Sequence, residues 1–155
     1  MARLAVISDT HGLLRPEALP LLKGSDLILH AGDIGRPEIL EELAAFGPVH
    51  AVRGNNDRGP WAEAVPELRS LQVEGVLIHL LHDIGELDLQ RLSPAPQVVV
   101  TGHSHRPSIR ERDGVLYLNP GSAGPRRFKL PVTMAELMIS GRSAEARILQ
   151  IELSK

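Results

Sequence analysis

Leu4-Ala5-Val6-Ile7-Ser8-Asp9-Thr10-His11-Gly12 carries four apolar residues straight into a cluster of hydroxyl, carboxylate and imidazole groups. A short, continuous apolar run bounded by turn residues reads as a buried strand. The polar cluster then falls at the carboxyl end of that strand, where open α/β sheets bind their ligands. The arrangement recurs along the chain. Residues 27–29 lead through His30 and Ala31 to Gly32-Asp33, and residues 49–52 run into Arg53-Gly54-Asn55-Asn56-Asp57. Residues 76–81 run into His82-Asp83, 98–100 into Thr101-Gly102-His103-Ser104-His105, and 115–118 into Asn119-Pro120-Gly121-Ser122. Six strand ends with such chemistry imply one convergent site.

Helices are expected between the early strands. Over residues 37–46, Pro37 suits a first turn, Ile39, Leu40, Leu43 and Phe46 share a face, and Gly47-Pro48 ends the run. Residues 15–23 read as a weaker helix that Pro20 keeps irregular, and residues 87–92 as a short one. This βαβ rhythm predicts parallel pairing at the front of the chain. At the back, Arg112-Asp113-Gly114 is a hairpin signal, and residues 132–139 and 144–153 read as two more strands joined around Gly141. The expectation is α/β first and an antiparallel meander after it, in one domain with no linker or repeat.

Bulk composition narrows the chemistry. The 155 residues can bury a core without staples, and 43% hydrophobic with 23% charged residues is ordinary for a globular chain. There are no cysteines, so metal ligation would fall to Asp, Glu, His and Asn. A net charge of −2 and 3% aromatic residues argue against extended nucleic-acid binding. No signal peptide or membrane span is read, so the expected setting is cytoplasmic.

Of the seven histidines, His11, His82, His103 and His105 sit in the strand-end clusters. Asp9 and His11 stand two apart, as do His103 and His105, and in an extended turn such side chains point the same way. Asp33 and Asn55 each follow a glycine, which leaves room for an ion to approach. Imidazole, carboxylate and amide oxygen together suit Mn, Fe, Co, Ni or Zn. One bridging Asp would give each of two metals four protein ligands. Two divalent ions, two carboxylates and one hydroxide would leave about one positive charge, which attracts a phosphate ester. Singly, each motif has an ordinary reading, since Gly-Asn-Asn-Asp is a good turn and Asp-x-His is common. Their joint occurrence at strand ends favours one site. His30 reads as a packed or supporting residue, His50 as packed or solvent-facing within its strand, and His79 as internal to its strand.

The set Asp9-Thr10-His11, Gly32-Asp33, Gly54-Asn55-Asn56-Asp57, His82 and Gly102-His103-Ser104-His105 resembles the calcineurin-like metallophosphoesterases. Asn119-Pro120-Gly121-Ser122 with Pro125-Arg126 is similar to the small single-domain bacterial and archaeal phosphodiesterase branch. The resemblance spans nearly the whole chain. It implies a four-layer α/β/β/α sandwich of two mixed sheets flanked by helices. It implies two divalent ions, Mn first, with Fe, Ni, Zn or Co as alternatives. One would be held by Asp9, His11 and His105, the other by Asn55, His82 and His103, with Asp33 bridging. The implied catalytic set is Asp33, Asn55, His103 and Asp57, with Asp57 acting as a hydrogen-bonding partner.

Two positions depart from the family pattern. Asn56 stands where many members carry a His able to protonate the leaving group, and an amide cannot do this. Asp83 stands where Gly is frequent; it either orients His82 or faces solvent. Arg53 and Arg126 are the candidates for gripping phosphate, which Arg does bidentately, and Arg127 reads as surface charge. Loops 57–65 and 121–130 are expected to shape the pocket.

The expected activity is hydrolysis of a small phosphodiester by a two-metal mechanism with a bridging hydroxide as nucleophile. A phosphomonoesterase, a cyclic-nucleotide phosphodiesterase and a nuclease for short substrates are alternatives within the enzyme class. A non-catalytic interaction module is the alternative outside it. Exposed apolar surface would allow a homo-oligomer.

Overall fold

All six apolar runs are strands in the computed structural model, which describes residues 1–127 and 129–153. Phe128, in the expected pocket loop 121–130, lies outside the described residues, as do Ser154 and Lys155.

Two five-stranded mixed sheets form the molecule. The first takes β1 (Ala2–Ile7), β2 (Leu27–His30), β3 (Val49–Ala51), β9 (Thr133–Ser140) and β10 (Ser143–Gln150), in the order β10-β9-β1-β2-β3. The second takes β4 (Leu68–Val73), β5 (Val76–Leu81), β6 (Val98–Val100), β7 (Ser108–Arg112) and β8 (Val115–Asn119), in the order β4-β5-β6-β8-β7. Each sheet has a parallel trio, β1-β2-β3 and β5-β6-β8, with antiparallel strands outside it. The trios carry the six polar strand ends.

The continuous apolar runs reflect burial on two faces. Leu4 and Val6 of β1 point between the sheets, where they meet Leu29, Ile78, Leu80, Val98 and Val100. Ala5 and Ile7 point the other way, with Ile28, onto Leu22, Ile39 and Leu43. Those last three come from α1 (Leu19–Leu22) and α2 (Glu38–Ala44). Each fully buried aliphatic side chain contributes roughly 1.5–3 kcal/mol, which provides the stability that strained turns at the strand ends draw upon.

α2 is one turn shorter than residues 37–46, because Pro37 precedes the helix and Phe46 follows it. The segment over 15–23 forms a 3-10 turn, Pro16–Ala18, and the single α turn of α1, with Pro20 within its first two residues. The second sheet is flanked by two 3-10 turns, Ile84–Glu86 and Leu89–Arg91, so the fourth layer is thin. The helix expected over 87–92 is confined to a single turn. Asp88 caps it by accepting from Gln90 N–H, and Ser93 precedes a proline, which disfavours αR.

The back of the chain is split. The hairpin β7–β8, with Asp113 and Gly114 at positive φ in its turn, joins the second sheet, whereas β9–β10 flanks β1 in the first. The expected single meander is therefore two hairpins in different sheets. β4 and the short helix α3 (Pro60–Glu63) went unread. β4 is an edge strand whose burial alternates only between exposed and half-buried until Val73, and its sequence Leu68-Arg69-Ser70-Leu71-Gln72-Val73 carries no matching apolar alternation. α3 lies within the expected loop 57–65 and starts at Pro60 after Gly59, whose φ is 102°.

Candidate metal centre

The carboxyl ends of both trios meet in one cluster. Asp9, His11 and His105 form one group, and Asp33, His82 and His103 a second; within each, one donor atom per residue lies within 4.8 Å of the others. Asp9 Oδ1 is 3.4 Å from His105 Nε2 and 3.8 Å from His11 Nε2. Asp33 Oδ2 is 3.2 Å from His82 Nε2 and 3.7 Å from His11 Nε2, so its carboxylate reaches both groups. The imidazoles also meet nitrogen to nitrogen, at 3.4 Å for His11 and His105 and 3.3 Å for His103 and His82.

These contacts fit divalent ions. Donor atoms about 2.1 Å from a shared ion lie roughly 3–4 Å apart. Asp9 Oδ1 and His105 Nδ1 are buried with no hydrogen-bond partner, and an orphaned buried carboxylate oxygen is costly unless something cationic faces it. His82 Nδ1 donates to Ala31 C=O at 2.7 Å, which leaves Nε2 free to coordinate. The donors, all oxygen and imidazole nitrogen, are those of a borderline first-row metal.

The two-apart spacing works by a different geometry from the extended turn. Asp9, His11, Asp33, His103 and His105 all have positive φ, between 45° and 71°. Each costs about 1–2 kcal/mol in an L-residue with a Cβ, and such strain collects at functional sites. The backbone of the first turn is laced to the second strand end by Asp9 N–H to Gly32 C=O and His11 N–H to Asp33 C=O, both 2.9 Å. The glycines also act otherwise than expected. The space above Gly54 is filled by the Asp33 carboxylate, and a Cβ there would collide with it.

Burial and neighbours set the charges. Burial raises the pKa of Asp9 against a hydrogen bond from Ser8 Oγ at 2.7 Å and the nearby imidazoles. Burial also opposes charge on Asp33, but the His82 hydrogen bond and Asn56 N–H hold it well below the usual carboxylate range. Burial disfavours the His82 cation, yet Asp33 and Asp9 win and raise its pKa. His105 is lowered by burial first, and the charge of Arg127 adds to this.

Asp57 is buried but stands apart from the cluster. Its carboxylate accepts from the N–H groups of Ile34, Gly35 and Gly54 at 2.9–3.1 Å. Asp57 thus takes the hydrogen-bonding role expected of it, as a brace between two ligand-bearing loops. Asp83 does not bond His82; its Oδ1 accepts from Gly85 N–H in an exposed bond and caps a 3-10 turn. Arg53 and Asn55 line a cavity of about 250 Å³ with His82, Glu67, Asp83 and Glu86. The Arg53 guanidinium is already paired with Glu67 at 2.9 Å. Arg126 and Arg127 are both exposed, and the charge of Arg127 is felt at His105.

His50 bonds Arg69 and His79 bonds Ser70, as structural residues do. His30 is fully buried, and its bonds define its tautomer. Gly32 N–H donates to Nδ1, so Nε2–H donates to Thr10 Oγ1, whose own proton goes to Ile34 C=O. Thr10, Ser8 and Asn119 are supports beyond the sequence reading; for Ser8 and Thr10 the signal was a polar residue beside a candidate ligand, and for Asn119 its place in a strand-end cluster that holds no ligand.

Comparison with known proteins agrees with this geometry. Residues 2–142 match the profile of the calcineurin-like phosphoesterase superfamily domain. A probable metallophosphoesterase from Methanothermobacter thermautotrophicus is 36% identical over 95% of this chain and 91% of its own length. Another, from Methanocaldococcus jannaschii, is 32% identical over 96% of this chain and 81% of its own. In fold, the chain is similar to vacuolar protein sorting 29 from Cryptosporidium parvum, with a TM-score of 0.80 at 23% identity over 99% and 98% of the two chains. On its sequence match, the chain belongs to the calcineurin-like phosphoesterase superfamily.

Proposed function

We propose that this phosphoesterase is a binuclear enzyme that hydrolyses small phosphodiesters. The observation that supports it best is the reach of Asp33 Oδ2 to His11 in one donor group and His82 in the other. Asp9, His11 and His105 would hold one ion, and Asn55, His82 and His103 the other, with Asp33 shared. When bound, the ions supply Lewis acidity and an activated water. Manganese is the favoured metal, and a cytoplasmic setting suits a chain without cysteine.

The chain's own groups orient the ester. Two carboxylates against two divalent charges keep the site attractive to phosphate. Arg127, on the His105 side, would draw the phosphate oxygens, and Asn55 and Arg53 line the cavity that would receive one ester arm. Asn56 offers no proton; its amide donates to Asp33 Oδ2 at 3.1 Å. Alcohols that leave without protonation are therefore the favoured leaving groups. A non-catalytic role, open to any chain of this fold, is disfavoured by the retention of every donor.

The test is metal-stripped protein resupplied with Mn or Ni and given an aryl phosphodiester beside the matching monoester. Faster turnover of the diester is expected, and no turnover with any divalent ion would sink the proposal. Asn56→His is expected to raise monoesterase activity about 100-fold by supplying an acid. An unchanged rate would show that protonation does not limit the reaction.

A further inference from the structure

Asn119-Pro120-Gly121-Ser122 closes β8 at the same end of the sheets as the candidate ligands but contributes none of them. Its polar groups nevertheless point into the two strained turns. Asn119 is 7% exposed, and its amide is fully used. Nδ2 donates to Gly102 C=O at 2.9 Å and to Ser104 Oγ at 3.1 Å, one residue on either side of His103. Oδ1 accepts from Gly121 N–H at 2.9 Å. Ser104 Oγ in turn accepts from Arg106 N–H, which brackets His105. Ser122, 5% exposed, donates from Oγ to Asp9 C=O at 3.0 Å.

The turns need such holding. φ is 54° at Asp9, 71° at His103 and 64° at His105. A turn with two residues in this region is strained and relaxes unless its backbone is held. The two donors of one amide hold the peptide carbonyl before His103 and the Ser104 hydroxyl after it, and so restrain the turn that presents His103. The two turns also touch. At Gly102 a Cβ would run into Ser8 Oγ and Asp9 Oδ2, and His103 N–H donates to Asp9 Oδ2 at 3.1 Å. A shift in one turn is felt by the other.

We propose that Asn119 and Ser122 are positioning residues that clamp the His103–His105 and Asp9–His11 turns in their ligand-presenting conformation before any metal arrives. The proposal rests on the metal-centre reading above. Its content is that affinity for metal, rather than the fold, depends on these side chains.

Calorimetric titration of Mn²⁺ into metal-stripped protein tests it. Asn119→Ala is expected to weaken binding 10- to 100-fold, as loss of a ligand-orienting partner does, with an unchanged circular dichroism spectrum. Asn119→Asp separates the clamp from a general structural role. It keeps the acceptor for Gly121 N–H and loses the donors to Gly102 and Ser104. It should bind metal as poorly as Asn119→Ala, and it carries the test should the alanine variant not fold. The visible spectrum of Co²⁺-loaded Asn119→Asp should shift as well, because His103 is no longer held. Wild-type affinity in Asn119→Asp would overturn the clamp. Wild-type protein that takes up no Mn²⁺ would instead overturn the metal centre.

Discussion

Asp33→Ala is expected to bind neither metal ion at stoichiometric Mn²⁺ and to lose phosphodiesterase activity by more than about 1000-fold, given the several kcal/mol a metal contributes to phosphoryl transfer. The carboxylate of Asp33 faces His82 at 3.2 Å and His11 at 3.7 Å. Without it, the first group keeps Asp9 and two imidazoles. The second keeps two imidazoles and the Asn55 amide, and the anion left near it is Asp9, 3.9 Å from His82 Nε2 but belonging to the first group. The loss should therefore be steeper on the His82–His103 side. Asp33→Asn is the informative companion. It preserves the side-chain volume and an oxygen for Asn56 N–H, which now bonds Asp33 Oδ1 at 2.9 Å, but removes the charge. Elemental analysis should find one weakly held ion in Asp33→Asn and none in Asp33→Ala. Two ions at full occupancy in Asp33→Ala would refute the shared ligand.

The strand-end pattern made the convergence of the site legible, because burial on both faces leaves apolar runs that stop where the sheet stops. β1, β2, β5 and β6 were readable for this reason. β4 was not: an edge strand exposed on its outer side needs no run, and its place depends on β5 beside it. The splitting of the two C-terminal hairpins between sheets was equally hidden, since β9 pairs with β1 from the far end of the chain, Val6 with Ala135 and Ala2 with Ile139. In the site, the donor types were legible and their conformations were not. Nothing local at His103 or His105 signals positive φ. That conformation is imposed by Asn119 and by the packing of Gly102 on Ser8 and Asp9. Asp83 shows the converse limit, since its fate was decided two residues away, at Gly85 N–H.

The buried His30 should make the metal-free protein acid-sensitive. Burial, with the charge of His82 adding to it, pushes the His30 pKa down from 6.5 to about 3. The folded state holds the neutral ring because each nitrogen is committed, Nδ1 as acceptor from Gly32 and Nε2 as donor to Thr10. A second proton would have to break the Gly32 bond. The folded pKa lies below the unfolded one, so the unfolded chain binds the extra proton as pH falls below 6.5, and stability drops from there towards pH 3. At 1.36 kcal/mol per pH unit, the loss is about 2 kcal/mol at pH 5 and approaches roughly 5 kcal/mol near pH 3. His50, His79 and His105, also lowered by burial, act in the same direction, and His82, raised by its carboxylates, acts in the opposite one. His30→Gln separates the contribution of His30 from theirs. Its amide can accept from one neighbour and donate to the other but does not titrate. Urea unfolding at pH 7.5 and pH 5 should show the variant less stable than wild type at the higher pH, and its further loss on acidification smaller by about 2 kcal/mol. Equal losses in the two proteins would mean that His30 is not the group that must stay neutral, and that the chain from Gly32 through Thr10 to Ile34 does not lock its proton.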